Sequence, residues 1–200
     1  MLDSHMSMDT QIQSVCRSTL FHIRNISAIR QLIPQSAAAQ LVHSLVTSRL
    51  DYCNSLLHGV PKYKRERLQR VQNIAARVVT LTRCAPENHI TPILKSLHWL
   101  PIKFRIDFKI LLLTYKCVNG LAPDYLCELV NRKVNARSLR SDKLELLEIP
   151  TTRLKTYGNR TFMYAAATEW NKLRLDIRNS PSVCCFKTNL KTSLFKLYFK

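Results

Sequence analysis

The sequence predicts a mainly α-helical fold, an antiparallel helical bundle followed by a second helical lobe with a small β-hairpin. Three observations lead there: apolar residues recur at three- and four-residue steps, only three glycines occur in 200 residues, and the breaks fall at Pro34 and at Gly59-Val60-Pro61. From Asp9 to about Leu32 the apolar series is Ile12, Val15, Cys16, Thr19, Ile23, Ile26 and Ile29, one face of a helix that Pro34 ends. A second helix begins near Ser36 as N-cap, carries Leu41, Leu45, Leu50, Cys53 and Leu57, and stops at Gly59, which suits a left-handed cap. Pro61 opens a third, whose apolar face is Leu68, Val71, Ala75 and Val78. Short turns between the three make neighbours antiparallel.

After the break at residues 85–88, Thr91-Pro92 opens a short helix that runs to Leu97. The stretch Ile102 to Ile110 alternates as a half-buried strand would, but the run continues without Gly or Pro to Gly120, which is too long for a strand. A helix is therefore expected, with Arg105, Lys109 and Lys116 on one stripe, and another short helix spans Asp124 to Val130. Residues 131–141 are polar and basic and read as a linker. Two short extended pieces, Lys143 to Ile149 and Leu154 to Tyr157, flank Pro150 and make the expected hairpin. Helices then follow from Gly158-Asn159 to about Leu173, with Phe162, Ala166, Trp170 and Leu173 on one face, and after Pro181, with Phe186, Leu190, Leu194 and Leu197 inward. The resulting divisions are 1–8, 9–83, 84–134, 135–159 and 160–200.

Composition narrows the function. Hydrophobic residues make up 46% of the chain, enough for one compact domain or two small helical lobes, and no apolar run is long enough to cross a bilayer. The first residues lack a basic stretch followed by an apolar one, so a secretory signal is not expected and the chain should stay in the cytosol or nucleus. Lys and Arg total 31 against 13 Asp and Glu, a formal charge of +18 that calls for an anionic partner. Surface binders of anionic membrane gather their cations on one amphipathic helix, whereas here they recur from Arg17 to Lys196, which favours nucleic acid over membrane. Seven cysteines without paired spacing read as reduced thiols; Cys16, Cys53 and Cys117 fall on apolar helix faces.

Catalytic patterns are not apparent. The glycines are isolated, so no phosphate-cradling loop forms, and no adjacent or alternating aspartates suggest a two-metal centre. Glu145 and Glu148 read as solvent-facing charges. Cys84, His89 and His98 lack a fourth zinc ligand and a C-x-x-C pair. No cofactor, metal or small-molecule substrate is expected. The cationic residues carry the remaining signal. Lys62, Lys64, Arg65, Arg67, Arg70 and Arg77 crowd one helix beside Tyr63, suited to gripping phosphates and stacking on unpaired bases. Arg105 and Lys109 add to them, and a second basic region holds Arg137, Arg140, Arg153, Lys155, Tyr157 and Arg160. Leu68, Trp99, Phe108, Trp170 and Phe186 are assigned to core packing.

The segment from Thr47 to Leu57, with Ser48-Arg49-Leu50-Asp51-Tyr52-Cys53-Asn54 at its centre, resembles the region after the palm in LINE-type (non-LTR) retrotransposon reverse transcriptases of the Jockey-like and related clades. So do Arg67-Leu68-Gln69-Arg70-Val71-Gln72-Asn73, Leu97-His98-Trp99-Leu100-Pro101, Asn119-Gly120-Leu121-Ala122-Pro123, Arg153-Leu154-Lys155-Thr156-Tyr157-Gly158 and Trp170-Asn171. The likeness covers nearly the whole chain. It departs where Arg174 follows Leu173, a place where the family often has proline. The resemblance implies that residues 1–8 are the remnant of a palm strand, that 9–83 form the polymerase thumb, and that the rest holds element RNA. It also implies that fingers and palm, with their catalytic aspartates, are missing, so the chain is no enzyme itself although its parent family is an RNA-directed DNA polymerase. Arg65, Arg67, Arg70 and Arg77 would be phosphate contacts to RNA or an RNA/DNA hybrid. The alternatives are a helical protein-interaction module with no nucleic-acid role, and a decayed element product without function.

Overall fold

In the computed structural model, residues 7–83, 89–133 and 145–199 are described. The first helix, α1 (Asp9–Ile29), is continued by a 3-10 turn, Arg30–Leu32, and Pro34 precedes α2 (Gln35–Val42). A π-helical turn, His43–Thr47, joins α2 to α3 (Ser48–Asp51), and a 3-10 turn, Asn54–Leu57, leads by way of Pro61 to α4 (Lys62–Thr80). Next come α5 (Ile90–Ser96), α6 (Ile102–Val118) and α7 (Asp124–Cys127). The last elements are α8 (Lys155–Gly158), α9 (Phe162–Asn171), α10 (Leu175–Arg178) and α11 (Val183–Tyr198). The fold is mainly helical, as the apolar spacing predicts, and the ambiguous stretch from Ile102 is a helix. No helix among the described residues is long and apolar enough to cross a membrane.

Two compact units divide the chain, residues 1–105 and 106–198, so the segment 84–134 is shared between them. In the first unit α1 packs chiefly on α4, and α2 lies against both. Buried Ile12, Ile23 and Ile26 of α1 meet a core that includes Ala38, Val42, Val46, Leu50, Leu68, Val71, Ala75 and Val79. Two polar clasps fix the direction of the helices. At one end, the Lys64 ammonium near the start of α4 donates to the Ser7 carbonyl at 2.7 Å and to Asp9 Oδ2 at 2.8 Å at the start of α1. At the other, the Arg30 guanidinium just past α1 donates to the carbonyls of Val78 and Val79 near the end of α4, and to that of Ile33. Start lies beside start and end beside end, so α1 and α4 run parallel and the α2–α3 rod between them runs the opposite way.

The second helix departs from expectation in detail. Its inward residues are Ala38, Val42, Val46 and Leu50, while Leu41 and Leu45 are half-buried. Steps of four residues drift about 40° per step on an α-helix of 3.6 residues per turn. A wider π turn takes up part of that drift and keeps the series facing the core. The rod also ends early, at Asp51, because Cys53 takes the left-handed conformation with φ 50°; its side chain is exposed instead of lying on an apolar face. Gly59 does adopt positive φ, at 70°.

In the second unit the core joins Ile110, Leu111 and Tyr115 of α6 with Ala165 to Ala167 and Trp170 of α9 and Phe186, Leu190 and Leu194 of α11. The rings of Tyr115 and Phe186 stack at 4.2 Å between centroids, with Trp170 6.1 Å beyond, and the Tyr115 hydroxyl donates to the Ser180 carbonyl at 2.6 Å. Leu197 is exposed, against expectation, although it shares the helical face of Phe186, Leu190 and Leu194, because it lies in the last turn of α11, at the end of that face. Trp99 and Phe108 are only half-buried. The expected hairpin is not found among the described residues. Leu147 instead makes an isolated antiparallel bridge with Arg132, and Leu154 to Tyr157 runs into the helical turn α8. Asn171 accounts for this pairing: its carboxamide donates to and accepts from the Leu147 backbone at 2.9 Å each way, while Trp170 Nε1 donates to the Glu145 carbonyl. Arg174 has φ −68° as N-cap of α10, close to the value that proline fixes.

Candidate nucleic-acid interface

Helix α4 holds six basic residues and one acidic one, and packing sorts them by direction. The side turned to the core carries Lys64, Leu68, Val71, Gln72, Ala75, Ala76 and Val79. With about 100° between successive residues, Tyr63, Arg67, Arg70, Ile74 and Arg77 fall within about 80° of one another on the opposite side. Tyr63 is 61% exposed and Ile74 44%, Arg67 and Arg70 are exposed, and Arg77 is half-buried. Leu81, the left-handed residue that caps the helix, adjoins this line. Its neighbours Arg30, Arg70, Ile74, Arg77 and Arg83 line with it an open groove of about 830 Å³. A smaller pocket of about 160 Å³ lies between α1 and α3, lined mostly by apolar residues such as Ile12, Leu50 and Leu56.

Some residues expected to bind are committed to the fold. Lys64 is a correction: at 5% exposure its ammonium is turned inward to Ser7 and Asp9, because the helical position that follows Tyr63 by one residue faces α1. Arg105 is a second correction. Its NH1 pairs with Asp51 Oδ2 at 2.7 Å and its Nε donates to the Leu100 carbonyl, so the guanidinium ties the start of α6 to the end of α3. Arg65 lies about 160° round the helix from Tyr63 and is half-buried, so it does not share a face with Arg67 and Arg70. Lys62 is exposed beside Glu66, 3.8 Å away, at the edge of the line.

The second basic region is less informative. Arg137 and Arg140 lie outside the described residues. Arg153 is exposed, Tyr157 is exposed, Arg160 is half-buried, and Lys155 opens the turn α8. Lys109 is exposed on α6 in the second unit. Among the described residues no group of three or more His, Cys, Asp or Glu is placed to hold a metal ion.

Residues that sequence reasoning grouped only by likeness prove to be fasteners. Gln72 donates to the Leu100 carbonyl at 2.9 Å, and Gln69 Oε1 accepts from the Ile102 backbone N–H at 2.9 Å, meeting an otherwise unpaired donor at the start of α6. Gln69 in turn donates to Gln72 and Asn73. Only the polar type of Gln69 and Gln72 on a mostly apolar flank signals this from sequence. Arg30 was likewise overlooked, since an arginine just past a helix reads as solvated.

Comparison with protein-family models, with curated proteins and with solved structures finds no match for this chain.

Proposed function

We propose that the chain binds RNA, or an RNA/DNA template-primer, through the outward face of α4, as the non-catalytic thumb and post-thumb part of a LINE-type retrotransposon reverse transcriptase. The observation that carries the binding reading is the alignment of Arg67, Arg70 and Arg77 with Tyr63 on the solvent side of one helix, in a chain of charge +18. Guanidinium groups suit phosphate because they are always charged and present planar pairs of donors. Neither Arg67 nor Arg70 is engaged by a carboxylate among the described residues, and Glu66, the helix's one acid, is turned to Lys62. Their charge therefore remains available to a polyanion. The parentage rests on the sequence likeness from Thr47 to Asn171 and carries no catalysis with it. Such a module works in the cytosol or nucleus, where its RNA is.

Fluorescence anisotropy with an RNA/DNA hybrid over a range of salt tests the binding. Affinity falls steeply as salt rises, and a protein with both Arg67→Gln and Arg70→Gln shows a slope shallower by about one for each contact removed. An affinity indifferent to salt, or to both substitutions, overturns the reading.

A further inference from the structure

Resting on the RNA-binding part of that reading, we infer that the α4 face is built for an unpaired RNA strand rather than for a template-primer duplex. The line of residues is not uniformly cationic. In order along the axis it is Tyr63, Arg67, Arg70, Ile74, Arg77 and then Leu81, so aromatic and apolar groups are interspersed among guanidinium groups. Tyr63, Ile74 and Leu81 are 61%, 44% and 56% exposed, which leaves part of their apolar surface in water, although the Lys64 ammonium stands 5.8 Å from the centre of the Tyr63 ring.

A duplex offers such a line only phosphates and sugars, and apolar side chains pressed against that charged edge strip water from phosphates without gaining a partner. An unpaired strand offers both chemistries. Its phosphates take the arginines, and its splayed bases lay their faces on Tyr63, on the apolar side chains and on guanidinium planes. Glu66 at the edge is drawn to Lys62, and no carboxylate among the described residues pairs with Arg67 or Arg70 at the centre of the line.

The test compares a labelled oligouridylate with the hybrid made by annealing it to oligodeoxyadenylate, both against the whole chain at one moderate salt concentration. The single strand binds more tightly. Tyr63→Ala weakens single-strand binding on the order of tenfold, as expected for loss of one stacked base, and leaves hybrid binding unchanged, while Tyr63→Phe restores it. Circular dichroism checks that the variants keep the helical fold. Equal or tighter binding of the hybrid, or a Tyr63→Ala effect of the same size on both probes, overturns this inference while the wider reading stands. Retention of neither probe at low salt defeats both, and leaves the apolar members of the line to a protein partner.

Discussion

Lys64 and Arg67 stand about one turn apart on α4, yet one is consumed by the fold and the other left to solvent. Lys64 is held above the usual lysine range, chiefly by its hydrogen bond to the Asp9 carboxylate, with burial pulling the other way. A folded pKa raised above the unfolded one means that the contact stabilises fully at and below neutral pH. That stability is lost as pH climbs through the folded value, beyond the roughly 10.4 of an ordinary lysine. Melting temperature is therefore expected to fall in strongly alkaline buffer, and the fall should be shallower for Lys64→Met. Parallel slopes for the two proteins would show that the Lys64–Asp9 clasp adds nothing. Cys117 provides a second case. Burial, reinforced by the neighbouring Cys127 thiol, pushes it up to about 11, so it stays a protonated, poorly nucleophilic thiol near neutrality. Iodoacetamide at mildly alkaline pH should label exposed Cys53, Cys184 and Cys185 well before Cys117, which mass spectrometry of the native protein resolves.

Elements differ in how openly their residues announce them. Helices α1, α4 and α6 were legible because each buries one face against a single neighbour set or core, and the 3.6-residue period survives in the apolar series. The rod formed by α2 and α3 was legible as a helix but not in its facing, since a π turn leaves no local mark in Leu41, Val42, Leu45 and Val46. The hairpin failed for a related reason. Pairing of the stretch at Leu147 is decided by Asn171, 24 residues away, and by the strand-like Arg132, neither of which period-two alternation can weigh. Gly158 adds a steric cause for the shape of the neighbouring turn: a Cβ built there would collide with Thr152 Cβ. Gly158→Ala should thus cost about 1 to 3 kcal/mol, the range of overpacking, by urea denaturation. A cost near zero would mean that the Thr152 segment moves aside freely. For the candidate interface, the basic residues of α4 were legible but not the direction each takes, because direction round α4 depends on what α1 covers.

At the scale of the molecule, the charge of +18 acts on folding and on binding with opposite signs. Like charges spread over the chain repel one another, and screening relieves the strain, whereas attraction to a polyanion weakens as counterions compete. Added sodium chloride is therefore expected to raise the melting temperature of the protein alone while it lowers affinity for nucleic acid. Calorimetry with and without RNA separates the two, and a melting point that drops with moderate salt would contradict the first. Arg30 sits where these effects meet. An α-helix terminates in a partial negative charge, which at the tail of α4 would push away any phosphate drawn along the arginines. By gathering the carbonyls of Val78 and Val79 onto a buried guanidinium, the protein silences that repulsive pole from within, so the negative end of α4 would not oppose a polyanion laid along Arg67, Arg70 and Arg77.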